Sequence, residues 1–273
     1  MVYLQGAMSF KQYKVDDKYI TVIGEKHRAV NEKCPYPSIS VASFLKRATA
    51  RLEDSCVLLE MHADKQVEIE RFRSINIIDA INLFFKDDYD RVKGFDIRNQ
   101  YVDMSKLYDE NTLLVDYMNL YYGDRMLMVI NVLNDLVISS GLSNNKKTYL
   151  HQFVDNLYSD YNLITTYFLP QIQQAIKYPG ITLKEYLKDG LSAGDYKVNM
   201  VIIHFWAKVT DFMLLFSIWN SPCKYIFVLV GNVHADNLHN IFKDDLQFSK
   251  LGNANHCVEI SGALWDVVRK VGL

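Results

Sequence analysis

The chain has 273 residues, 49% of them hydrophobic, and 30 basic against 32 acidic residues leave a formal charge of −2 at pH 7. That length and composition can bury a full core. A slightly acidic chain with no basic block is excluded from the nucleic-acid binders that neutralise a phosphate backbone.

The segment Tyr3 to Ala7 resembles the remnant of a cleavable purification tag and is set aside, so the expected domain runs over 9–273. No secretory signal precedes it, and Cys34, Cys56, Cys223 and Cys257 show no CxxC pair or disulfide-like spacing. Both observations lead to the expectation of reduced thiols in an intracellular, cytoplasmic protein.

The first predicted strand is Tyr19 to Ile23, closed by Gly24-Glu25-Lys26-His27. A Cys-Pro-Tyr-Pro-Ser loop follows, with Ser38 as the expected cap of a helix running to about Leu52. Cys56 to Leu59 predicts a second strand, ending on Glu60-Met61-His62. Helical spacing covers Lys65 to Phe85, and Val92 to Arg98 predicts a third strand.

From Leu107 the pattern changes to long helices, predicted over Leu113 to Ile138, Thr148 to Ile176, Leu183 to Leu187 and Val198 to Trp219. The last of these is apolar enough to suggest a membrane span, but His204, Lys208 and Asp211 interrupt it, so a buried helix is expected and no span. Tyrosines here, Tyr158 and Tyr161 among them, can offer apolar walls with a hydroxyl at the tip, and most are expected to be packing residues. The sheet resumes at Tyr225 to Val230, closed by Gly231-Asn232-Val233-His234; a helix begins near Ala235, and His256 to Ile260 is the last predicted strand. Strands separated by helices predict an α/β fold: a mainly parallel central sheet flanked by helices, with a helical insertion over 107–199.

Two Gly-x-x-His runs, each following a buried strand, are the strongest functional signal. Open α/β sheets place their chemistry beyond the carboxyl ends of the strands, where a glycine lets the backbone turn or approach a ligand closely. The strand ends deliver His27, Glu60, His62, Asp96, Arg98 and His234 to one rim. Two imidazoles and a carboxylate can orient a water and accept its proton. The same three groups, His27, Glu60 and His234, could instead hold a divalent ion that acidifies a bound water. Arg98 offers a cationic fork for an anionic substrate group or an oxyanion, while Asp96 and Arg98 face the same way in a strand and could equally pair with each other.

These residues resemble the Tiki/TraB superfamily, which also takes in erythromycin esterase-like and ChaN-like proteins. The resemblance rests on Ile23-Gly24-Glu25-Lys26-His27, Leu58-Leu59-Glu60, Phe95-Asp96-Ile97-Arg98 and Val230-Gly231-Asn232-Val233-His234. Lys208 to Met213 is weakly similar to a helix motif of that group but has Thr210, not arginine, directly before Asp211. The resemblance implies hydrolysis of an ester or amide bond, with or without zinc, manganese or cobalt, on a small-molecule or peptide substrate. It also admits a catalytically silent fold that binds a protein partner through the helical insertion. Richness in Tyr, Asn, Ile, Lys and Asp suits an AT-rich genome, including that of a large DNA virus.

Overall fold

The computed structural model describes residues 2–26, 34, 36–62, 79–80, 91–102, 111–116, 124–168, 180, 182, 184–185, 198–252 and 256–261. The chain divides into two units, Met1–Asp96 with Ser221–Leu273, and Ile97–Asn220.

The first unit carries the sheet. Its strands are β1 (Tyr3–Gln5), β2 (Ser9–Val15), β3 (Lys18–Glu25), β4 (Ser38–Ser40), β5 (Ser55–His62), β6 (Val92–Asp96), β7 (Tyr225–Gly231), β8 (Leu246–Leu251) and β9 (Cys257–Glu259). Its helices are α1 (Val41–Arg51) and, for reasons of chain order, α5 (Asn232–Phe242). Six strands form one sheet in the order β6-β5-β7-β3-β2-β8. The run β6-β5-β7-β3 is parallel, as the continuous apolar character of its strands predicts. The fold is thus α/β with a mainly parallel sheet.

The two antiparallel members, β2 and β8, were not expected. β2 turns into β3 through a tight hairpin with Asp16 at φ 54°, and pairs on its other side with β8. Aspartate tolerates this left-handed conformation better than most residues.

The sheet's two faces are covered by different helices. Ile23, Val57, Leu59, Phe227 and Leu229 share one face and pack with Phe44, Leu45 and Ala48 of α1, where the Phe44 ring meets Phe10 and Phe227 edge-on. Truncating a ring buried in this way costs about 3–5 kcal/mol. α1 is capped by Ser40, whose hydroxyl accepts from the Ser43 N–H, not by Ser38, which lies in β4. The other face carries α5, which packs on β3, β2 and β7 through Ala235, Leu238 and Phe242.

A small sheet, β4-β1-β9, adjoins this core. Tyr3, Leu4 and Gln5, set aside above as a tag remnant, form its central strand, and Leu4 is fully buried. The segment is therefore part of the fold. Cys34 and Cys257 form a disulfide across 223 positions, which corrects the expectation of four reduced thiols; Cys56 and Cys223 are free. Pairing over that separation leaves no local spacing to read.

The second unit is helical, with α2 (Asp124–Ser139), α3 (Asn144–Leu163), which ends in a π-turn at Ile164–Phe168, and α4 (Val198–Asn220). α2 buries Met126, Val129, Ile130, Leu133 and Val137, the spacing of one helix face. Tyr158 of α3 donates its hydroxyl to Asn131 of α2 at 3.0 Å, and Lys208 of α4 bonds Asp160 of α3 at 2.6 Å. The span Val201–Asn220 is long and apolar enough to cross a membrane, and 61% of it is buried inside the structure. Of the predicted helix over Lys65 to Phe85, Asp79 and Ala80 are described and helical, with Ala80 buried in the core; the rest of it and most of Leu183 to Leu187 lie outside the described residues.

Candidate functional site

β5 and β7 are neighbours, paired in parallel from Ser55 with Tyr225 to Leu59 with Leu229. Their carboxyl ends therefore stand side by side. Beyond Leu59 the pairing of β5 with β6 shifts register before resuming at His62 with Asp96, so Glu60 sits within an irregularity of its strand. Such bulges bend a strand and re-aim a side chain.

β7 ends at Gly231, which is also the N-cap of α5, and His234 is the third residue of that helix. Glu60 meets this helix start with both carboxylate oxygens. Oε2 accepts the Gly231 N–H at 2.7 Å, and Oε1 lies 3.5 Å from His234 Nε2. The first is a short charge-assisted hydrogen bond, and the second is an ion-pair separation longer than a hydrogen bond. A carboxylate at a helix N-terminus also faces the positive end of the helix dipole. Both side chains are nearly inaccessible, Glu60 at 3% and His234 at 9%, so neither can rely on bulk water for compensation.

The structure thus brings together two of the residues expected from sequence, Glu60 and His234. Asp96 is buried at the end of β6, where it pairs in register with His62, whose side chain lies outside the description. Alternation along β6 puts Asp96 on the same face as Val92, the α1 face of the sheet. Glu25, buried at the end of β3, shares that face with Ile23. Arg98 is not in the strand: it opens a short 3-10 turn, Arg98–Gln100, in the second unit, and is 8% exposed. His27 lies outside the described residues.

A divalent ion is compatible with the donor chemistry. Metal–donor distances of about 2.0–2.1 Å at a tetrahedral angle put two ligand atoms roughly 3.3 Å apart, close to the Nε2–Oε1 separation. Among the described residues, no group of three His, Cys, Asp or Glu side chains converges to hold one.

Sequence reasoning missed the polar side chains of β2. Ser9 donates to Asn232 Oδ1 at 2.6 Å, Lys11 bonds Asp236 at 2.5 Å, and the Tyr13 hydroxyl lies 3.2 Å from His239 Nδ1. The signal was present as polar residues at i, i+2, i+4 in one segment and at i, i+4, i+7 in another. It is legible only once Ser9–Val15 is recognised as a strand. Asp236 accepts from both Lys11 and Asn232.

A hollow lined by Arg51, Leu52, Glu53, Asp54 and Tyr225 opens at the opposite, amino-terminal ends of the parallel strands. It contains none of the expected site residues, and α/β sheets place their chemistry at the other rim.

Comparison with family models, with curated proteins and with solved structures finds no match to this chain.

Proposed function

We propose that the protein is a hydrolase of ester or amide bonds, in which a histidine braced by Glu60 activates water at the carboxyl rim of the sheet. The observation that carries this reading is the buried Glu60–His234 pair, built from the ends of two adjacent parallel strands. A buried imidazole and a buried carboxylate converging at this rim support the enzyme reading over a scaffold.

Glu60 is fixed by the Gly231 N–H through one oxygen, so its other oxygen faces His234 in a set orientation. A carboxylate beside Nε2 favours the tautomer protonated there and makes Nδ1 the basic nitrogen. In the proposed reaction His234 accepts the proton of the attacking water, and His27, from the matching motif, shares the water or protonates the leaving group. A divalent ion held by His27, Glu60 and His234 would acidify the bound water. The Cys34–Cys257 disulfide counts against a reducing compartment.

The test is turnover by the full chain on a panel of esters, peptides and phosphodiesters, with His234→Ala and His27→Ala alongside. Loss of a general base lowers the rate by about 10²–10⁴. The expected result is hydrolysis of at least one ester or peptide, abolished by His234→Ala without loss of folding. A panel left intact, together with a protein partner captured through residues 107–199 and retained by His27→Ala, establishes the interaction module instead.

A further inference from the structure

α5 is gripped on both flanks. At about 100° per residue, Asn232, Asp236 and His239 fall on one side of the helix, and His234 falls roughly opposite them. In the sheet order β5-β7-β3-β2, Glu60 on β5 meets the His234 flank, and Ser9, Lys11 and Tyr13 on β2 meet the other. Asn232 Nδ2 donates to Asp236 Oδ2 at 3.0 Å and joins the first two of these three rungs.

The rungs fix more than proximity. Alternate residues of a strand advance about 6.8 Å, and the helix advances about 6 Å from 232 to 236 and about 4.5 Å from 236 to 239. The two spacings match closely enough for side chains to meet in one register only. Moving α5 by one residue turns it by about 100° and separates all three pairs. Lys11 is 4% exposed and Tyr13 fully buried, while the Asp236 side chain at the helix end of the middle rung is 54% exposed.

We propose that this seam positions the candidate site: Lys11, through Asp236 and Asn232, sets the roll and axial placement of α5 that hold His234 against Glu60. The proposal rests on the hydrolase reading for its consequence in turnover, but not for its geometry. Lys11, Asp236 and Asn232 act through His234, as positioning residues.

The experiment follows the His234 imidazole by nitrogen NMR in the full chain, with its resonances assigned by their loss in His234→Gln and a reference state given by Glu60→Gln. Lys11→Met removes the ammonium group and keeps most of the stem. In that variant the His234 resonances are expected to move toward their positions in Glu60→Gln. On a substrate the parent hydrolyses, kcat is expected to fall roughly 10²-fold with KM little changed, the scale of an ångström-sized misplacement. Lys11→Glu combined with Asp236→Lys restores the pair in reverse and is expected to recover both signals. Ser9→Ala, which removes one rung and no packing volume, gives the same shift in smaller measure and decides the matter if Lys11→Met does not fold. Variants that melt earlier while the His234 resonances stay at their parental positions overturn the proposal and make the seam purely structural. Displaced resonances in a protein that hydrolyses nothing on the panel uphold the positioning and remove the hydrolase reading.

Discussion

Gly24 and Asn232 belong to different Gly-x-x-His motifs, yet a Cβ at position 24 would stand 2.6 Å from Asn232 Oδ1 and 2.3 Å from Ser9 Oγ. The glycine of the first motif is the space that the asparagine of the second occupies. Gly24→Ala therefore strikes the Ser9–Asn232 hydrogen bond and crowds Ala235, whose Cβ would lie at 3.1 Å. Overpacking of this kind costs about 1–3 kcal/mol. Chemical denaturation of Gly24→Ala should show that loss, whereas Gly141→Ala, where an added Cβ meets nothing within 4 Å, should not.

What could be read from the sequence follows from how each element is buried. β3, β5 and β7 are apolar on both faces, so an unbroken hydrophobic run marks them, and their order along the chain forecasts a parallel sheet. Glu60 and His234 could be anticipated together because strand ends converge. β2 could not: its apolar Phe10 serves one face while Ser9, Lys11 and Tyr13 serve another, and that face is polar because its partners on α5 are polar. The Cys34–Cys257 link, the replacement of Ser38 by Ser40 as cap, and the role of Tyr3–Gln5 all depend on strands brought together from distant segments. Arg98 was assigned to strand β6, but the strand ends at Asp96 and the chain turns.

Burial pushes the Cys56 thiol up to about 12, with its neighbour Cys223 adding and the Ser221 hydroxyl opposing. Above the ordinary value of 9.0 the unfolded chain releases a proton that the native state keeps, so stability falls as pH rises from 9 toward 12. Each unit in that window is worth about 1.4 kcal/mol for a fully shifted group. Denaturant titrations at pH 8, 9 and 10 should show the fall, and Cys56→Ala should flatten it. A slope unchanged by Cys56→Ala would assign the effect to other groups, such as Tyr13, whose hydroxyl is also raised by burial.

The disulfide gives a separate prediction. Chain denatured without reductant should react with a thiol reagent at Cys56 and Cys223 alone, and at all four cysteines after reduction. Reducing the Cys34–Cys257 bond is expected to lower stability by about 2–5 kcal/mol. Mass spectrometry after differential alkylation reads the pairing directly; full labelling of Cys34 in the unreduced chain would refute it.

The donor set of the site bears on metal dependence. Glu60 has one oxygen committed to the Gly231 N–H, and neither motif carries the i, i+4 histidine pair that preorganises many zinc sites. Turnover is therefore expected to survive chelation, with metal well below one ion per chain in protein purified without added salts. Stoichiometric zinc, manganese or cobalt, with activity lost on chelation and restored by one ion, would reverse that expectation.

The last prediction separates the two jobs of Glu60. Glu60→Gln can still offer Gly231 an amide oxygen but no negative charge to His234, so its stability should fall by about 1 kcal/mol or less while turnover drops by about 10² or more. Glu60→Ala also strips the acceptor from a buried N–H at the start of α5, which costs about 1–3 kcal/mol beyond the lost contact. Differential scanning calorimetry on the pair, read beside their rates, distinguishes a brace from a catalytic partner. If Gln and Ala lose activity only in proportion to their loss of folded protein, Glu60 serves the helix and the water-activating role falls away.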